Sequence, residues 1–122
     1  MVNKLVMLVE DDDTIRLMAR RIIEREGYAV EDYAHGLIAH AELAKASPNR
    51  YRMILSDIDM PKMDGIAFAE ECTRLAKDTP VVLMTGRPRE SYPANVREVL
   101  LKPFGMTEYK RILEKYASRK PQ

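Results

Sequence analysis

The sequence predicts an α/β fold: a doubly wound parallel sheet of five strands with helices on both faces. Three observations carry the prediction. Short apolar runs without polar interruption, such as Leu5-Val6-Met7-Leu8-Val9 and Val81-Val82-Leu83-Met84, have the length and hydrophobicity of strands buried on both faces. Stretches with apolar residues at helical spacing separate these runs. The alternation continues from end to end, with no internal repeat, low-complexity tract or Gly/Ser linker, as a chain of βαβ units requires.

The first strand, Leu5 to Val9, stops at an acidic cluster. Ile15, Met18, Ala19, Ile22 and Ile23 then recur at helical spacing; Asp12 or Asp13 is placed to cap that helix at its start and Gly27 at its end. Ala29-Val30-Glu31-Asp32-Tyr33 is a partly polar strand suited to a sheet edge. Gly36 to Lys45 reads as a short helix with Leu37, Ile38, Ala41 and Ala44 inward, broken by Ser47-Pro48-Asn49. Met53-Ile54-Leu55-Ser56 is a buried strand ending at Asp57. Ile66, Ala69, Cys72, Leu75 and Ala76 make a helical stripe that Thr79-Pro80 stops, ahead of the strand Val81 to Met84. Val99-Leu100-Leu101 is a last short strand, and Tyr109, Ile112, Leu113 and Tyr116 mark a terminal helix. Right-handed crossovers and an edge-like second strand favour the flavodoxin-like order 2-1-3-4-5.

At 122 residues the chain has the size of one domain, expected to span residues 1–122 without an output domain. Hydrophobic residues at 46% and charged residues at 32% exclude a disordered chain. A net charge of +1 gives no global attraction to nucleic acid or an anionic membrane. The basic pairs Arg20-Arg21 and Arg119-Lys120 are too short to argue otherwise and are read as solvated helix faces. The single cysteine, Cys72, cannot form an internal disulfide and sits on an apolar stripe as a core residue. With no signal peptide and no long apolar span, the expected location is cytoplasmic, away from the membrane.

In such sheets ligands bind at the carboxyl ends of the strands. The first strand ends in Glu10-Asp11-Asp12-Asp13, the third in Asp57-Ile58-Asp59, the fourth in Thr85-Gly86 and the fifth in Lys102-Pro103. Converging carboxylates repel one another unless a cation neutralises them. A few hard oxygen ligands suit Mg²⁺ rather than zinc, and His35 and His40, read as surface residues, form no cluster for a soft metal. A carboxylate beside Mg²⁺ can attack a phosphoryl group, with Thr85 and Lys102 placed to bind the phosphoryl oxygens.

These motifs resemble the receiver domain of bacterial two-component response regulators, most closely the single-domain type typified by chemotaxis regulators. The likeness covers about Lys4 to Tyr116: the acidic pair Glu10-Asp11, the stretch Ser56-Asp57-Ile58-Asp59-Met60-Pro61-Lys62-Met63-Asp64-Gly65, the Thr85-Gly86 pair and Lys102-Pro103. Any one motif is weak; four in order at strand ends are specific. The resemblance implies Asp57 as phosphoacceptor and Asp11 as a direct Mg²⁺ ligand. Glu10 would act through a coordinated water, and the Asp59 backbone carbonyl would be a further metal oxygen. Thr85 is the switch hydroxyl, Lys102 the phosphoryl partner, and Pro103 follows a cis peptide. It also implies a histidine kinase or His-containing phosphotransfer protein as donor, self-catalysed hydrolysis by a bound water, and an unidentified downstream protein. Oligomeric state stays open.

The chain departs from the family in two places. The interval from Thr85 to Lys102 is short and contains Pro88 and Pro93, so the helix between the fourth and fifth strands is expected to be absent or a single turn. The family's aromatic switch position is occupied by Val99, with Tyr92 a candidate substitute. Asp59 and Arg87 stand where residues influence loss of the phosphoryl group, so an Asp59–Arg87 pair is expected to hinder the attacking water. Two rival functions are a Mg²⁺-dependent phosphatase using Asp57 as nucleophile with Asp59 as acid, and a binding module without phosphorylation.

Overall fold

The computed structural model describes residues 4–118; Arg119-Lys120 lies outside them. Five strands, β1 (Leu5–Val9), β2 (Ala29–Tyr33), β3 (Met53–Asp57), β4 (Val81–Thr85) and β5 (Val96–Leu101), form one sheet in the order β2-β1-β3-β4-β5. All neighbours are parallel. The three central strands are buried along their whole length, as their uninterrupted apolar runs require. The order reverses after β1, which puts the switch point beside the ends of β1 and β3.

Helices α1 (Asp13–Arg25) and α4 (Met106–Ile112) cover one face, α4 continuing into a π-helical turn at Leu113–Ala117. Their buried side chains, Ala19, Ile23, Tyr109 and Ile112, pack on Val6, Leu8, Leu55 and Val82. Helices α2 (Gly36–Lys45) and α3 (Gly65–Leu75) cover the other, where Leu43, Phe68 and Cys72 meet Met7, Ile54 and Leu83. Cys72 is a core residue, fully buried. Asp12 caps α1 by accepting the Ile15 N–H at 2.9 Å, and Gly27, with φ of 95°, follows its C-terminal cap. Asp64 caps α3 in the same way through Ala67.

Three features differ from the sequence expectation. Helix α2 faces inward through Gly36, Ala39 and Leu43, not through Leu37, Ile38, Ala41 and Ala44, which are exposed. Apolar residues surround this helix, so periodicity does not set its rotation. Contact does: a Cβ on Gly36 would lie 2.5 Å from the Met63 carbonyl oxygen, so the Gly36 side is the only one that fits the β3–α3 connection. The two histidines are half-buried rather than surface residues. His35 Nδ1 accepts the Ile38 N–H at 3.4 Å as the α2 cap, and His40 Nε2 lies 2.8 Å from Glu71 Oε1. Strand β5 begins at Val96, three residues before its apolar part, because this edge strand carries Arg97 exposed at a bulge and Glu98 half-buried against Arg111 and Tyr116.

No helix joins β4 to β5; residues 86–95 run as bends and a turn. The two prolines account for this. In place of a helix, Tyr92 lies half-buried against the core cluster that also holds Val96 and Val99. Among the described residues no helix is long and apolar enough to cross a membrane.

Candidate functional site

The ends of β1, β3, β4 and β5 bring Glu10, Asp11, Asp57, Thr85 and Lys102 to one rim of the sheet. Glu10 follows β1 and is fully buried, its N–H donating to the Tyr33 carbonyl at 3.1 Å and its own carbonyl accepting from Arg16 at 2.9 Å. Its Oε2 accepts the Asp12 N–H at 3.1 Å. Asp57 closes β3 and is 3% exposed, whereas Asp11 is open to solvent. Carboxylate oxygens of Glu10, Asp11 and Asp57 lie within 4.8 Å of one another. Lys102, which follows β5 and precedes the cis Lys102–Pro103 bond, reaches into the same cluster. Its Nζ is 3.0 Å from Glu10 Oε1 and 3.2 Å from Asp57 Oδ1.

Burial, then the negative charge of Glu10, pushes the Asp57 carboxyl up to about 7, although Lys102 pulls the other way. Burial disfavours the Lys102 charge, but its contacts with Glu10 and then Asp57 outweigh this and raise it. One ammonium therefore does not neutralise three carboxylates. That imbalance, with oxygen donors only and an open side at Asp11, fits a hard divalent cation such as Mg²⁺.

The imbalance has a measurable consequence. A carboxyl raised from its ordinary value to about 7 contributes stability only while protonated. That contribution is full below about pH 4 and is lost as pH rises through 7. In buffer free of divalent cations, Asp57→Asn is expected to raise Tm at pH 8 by several degrees, with the gain shrinking toward zero near pH 4. Thermal melts across that range check it. Added Mg²⁺ should raise Tm of the unmodified chain more than that of Asp57→Asn.

Thr85 ends β4 fully buried, and its hydroxyl is engaged by Asp59 and the Arg87 backbone. Its Oγ1 is 3.1 Å from Asp59 Oδ2 and 3.1 Å from the Arg87 carbonyl, and it accepts the Arg87 N–H at 3.0 Å. The expected Asp59–Arg87 pair is present but long, at 3.6 Å with an 81% exposed Arg87 side chain. The closer partner is Arg89, whose Nη2 donates to Asp59 Oδ1 at 2.9 Å. The Arg89 hydrogen bond, against some loss of solvation and with help from Thr85, holds the Asp59 carboxyl below its usual range. Sequence reasoning missed Arg89. Arg87-Pro88-Arg89 carried a usable signal: the residue before proline is driven extended, and residues two apart in extended chain share a side. Val99 is half-buried on β5, and Tyr92 Oη accepts the Arg89 N–H at 2.8 Å.

A family model described as the response regulator receiver domain matches residues 6–114. The transcriptional regulatory protein SrrA of Staphylococcus aureus is 32% identical over 108 residues, covering 84% of this chain and 43% of SrrA. This chain thus spans less than half the length of such curated relatives. The chemotaxis protein CheY4 of Vibrio cholerae superposes with a TM-score of 0.80 at 28% identity, covering 94% of this chain and 99% of CheY4. The response regulator TrrA of Thermotoga maritima, solved in complex with Mg²⁺–BeF, shares the fold with a TM-score of 0.79 at 24% identity, covering 91% of this chain and 96% of TrrA. By the family match over most of its length, and with the fold and acidic cluster that go with it, this chain belongs to the response regulator receiver domains of two-component systems.

Proposed function

We propose that this chain is a phosphorylation-dependent switch. It accepts a phosphoryl group on Asp57 from a histidine kinase or His-containing phosphotransfer protein and signals by protein–protein contact. One observation carries the reading: a buried strand-end carboxylate is clustered with two further carboxylates and with an ammonium 3.2 Å away that also pairs with one of them. The Asp59 carbonyl, the Asp11 and Asp57 carboxylates and Glu10 through a water would hold Mg²⁺. When bound, Mg²⁺ supplies the positive charge that lets a carboxylate approach an anionic phosphoryl group.

An Asp57 oxygen forms the bond to phosphorus as the P–N bond to the donor imidazole breaks, and that electron pair leaves with the imidazole nitrogen. Lys102 pairs with a phosphoryl oxygen, and the Thr85 hydroxyl leaves Asp59 to bind another. Hydrolysis reverses the state: water adds to phosphorus, the P–O bond to Asp57 breaks, and carboxylate and phosphate are released. The phosphoryl group carries about −1.5 to −2 where the carboxylate carried −1, and this gain in charge and acceptor oxygens repositions the β4–β5 loop; the face made by that loop, β5 and α4 reports the change to a partner. This is self-catalysis on one residue, not turnover of a substrate. The rival phosphatase needs Asp59 as a proton donor, and Arg89 holds that carboxyl ionised.

Radiolabelled acetyl phosphate with Mg²⁺ tests the proposal. The expected result is label on the unmodified chain, lost by more than about a hundred-fold in Asp57→Asn or with chelator. It should come without multiple turnover of p-nitrophenyl phosphate. Undiminished label on Asp57→Asn, or sustained phosphomonoester turnover, would overturn it.

A further inference from the structure

The Asp59 carboxylate already holds what a phosphoryl group on Asp57 would need. Oδ2 faces the Thr85 hydroxyl at 3.1 Å, and Oδ1 accepts from Arg89 Nη2 at 2.9 Å. The other Arg89 nitrogen, Nη1, lies 3.5 Å from Thr85 Oγ1 and bonds the Arg87 carbonyl, so the guanidinium and hydroxyl are clasped together. The Arg89 backbone is tied in turn to Tyr92 Oη, whose ring is packed on the core. The guanidinium thus sits on an anchored segment beside the β3 and β4 ends, although the β4–β5 connection has no helix.

We propose that Asp59 is a built-in stand-in for the phosphoryl group. In the unphosphorylated chain it detains Thr85 and Arg89; a phosphoryl group on Asp57 takes both, making Arg89 a phosphoryl ligand beside Lys102 and Thr85. This rests on Asp57 being the phosphoacceptor. The exchange runs in the required direction. A phosphoryl group carries more charge than a carboxylate and three acceptor oxygens, and a guanidinium fork suits it. The latch has an opposing effect before phosphorylation: it depopulates the state with Thr85 and Arg89 free, which lowers apparent affinity for any phosphoryl-like ligand.

The test is beryllofluoride affinity at saturating Mg²⁺ for each variant, followed by amide signals around Thr85. Asp59→Asn keeps an acceptor for Thr85 but loses the charge that detains Arg89, so Kd is expected to fall about three- to ten-fold. Arg89→Gln is expected to raise Kd by a similar factor, with Arg89→Lys recovering part of the loss because it keeps the charge without the fork. In the Arg89→Gln background the gain from Asp59→Asn should drop below about two-fold. An equal gain in both backgrounds would mean that Asp59 acts only through its charge and would overturn the proposal. So would an Arg89→Gln variant with unchanged affinity. If the unmodified chain itself fails to bind beryllofluoride, the Asp57 assignment falls, and the latch with it.

Discussion

Lys102→Met should lose both phosphoryl chemistry and stability, most strongly above neutral pH. Methionine matches the lysine stem in length and removes only the charged head. That head is the cation facing both Glu10 and Asp57, at 3.0 and 3.2 Å. Glu10 cannot turn to water, since its side chain is 1% exposed and its other oxygen is bound to the Asp12 N–H. Removing one partner of a buried ion pair costs about 3–5 kcal/mol. The lysine here is 24% exposed and Asp11 opens the cluster to solvent, so about 2–3 kcal/mol is expected at pH 8 without divalent cations.

The pH dependence separates this from a packing defect. The Asp57 carboxyl is already raised to about 7, and losing Lys102 raises it further. Protonation then relieves the repulsion, so the deficit in urea midpoint should narrow as pH falls from 8 to 5. Adding Asp57→Asn to Lys102→Met should recover part of the deficit at pH 8. Labelling by acetyl phosphate should fall by about a hundred-fold, the usual effect of removing one donor from developing negative charge. An unchanged midpoint at pH 8 would show that Lys102 is not the compensating charge.

What was legible in the sequence follows from how each residue is constrained. Strands such as Leu5–Val9 were legible because burial on both faces leaves an unbroken apolar run. Glu10, Asp57, Thr85 and Lys102 were legible because parallel topology fixes which ends of the strands share a rim. The rotation of α2 was not, because Leu37 and Ile38 compete with Ala39 and Leu43, and only the close approach of Gly36 to Met63 decides between them. The start of β5 was hidden by Arg97 and Glu98; Glu98 is in fact held by Arg111 and by Tyr116 Oη at 2.7 Å. Asp59 was legible from the end of β3, but Arg89 was not, because its contact with Asp59 depends on the path of a loop without regular structure.

Gly65→Ala ties the fold to the chemistry. Gly65 is the first residue of α3, and its N–H donates to the Ile58 carbonyl at 2.8 Å. A Cβ there would overlap the Asp57 carbonyl oxygen and lie 2.7 Å from Ile58 Cα. Both obstacles are backbone, so no side-chain rotation relieves them. Alanine favours a helix over glycine by about 1 kcal/mol. Overpacking against rigid neighbours costs about 1–3 kcal/mol and occasionally more. The steric cost wins, because the end of β3 must move away from α3. A net loss of about 2 kcal/mol, or roughly 8 °C in Tm, is expected. The displaced residue is Asp57 itself, so its alignment with Lys102 and Glu10 is lost too, and acetyl-phosphate labelling should fall at least about ten-fold in protein that is still folded. Gly86→Ala is the control for stability: a Cβ there meets nothing within 4 Å, so Tm should hold. If Gly65→Ala melts and labels like the unmodified chain, α3 does not press on the end of β3 that carries Asp57, the proposed phosphoacceptor. The glycine eight residues after Asp57 would then be free to vary.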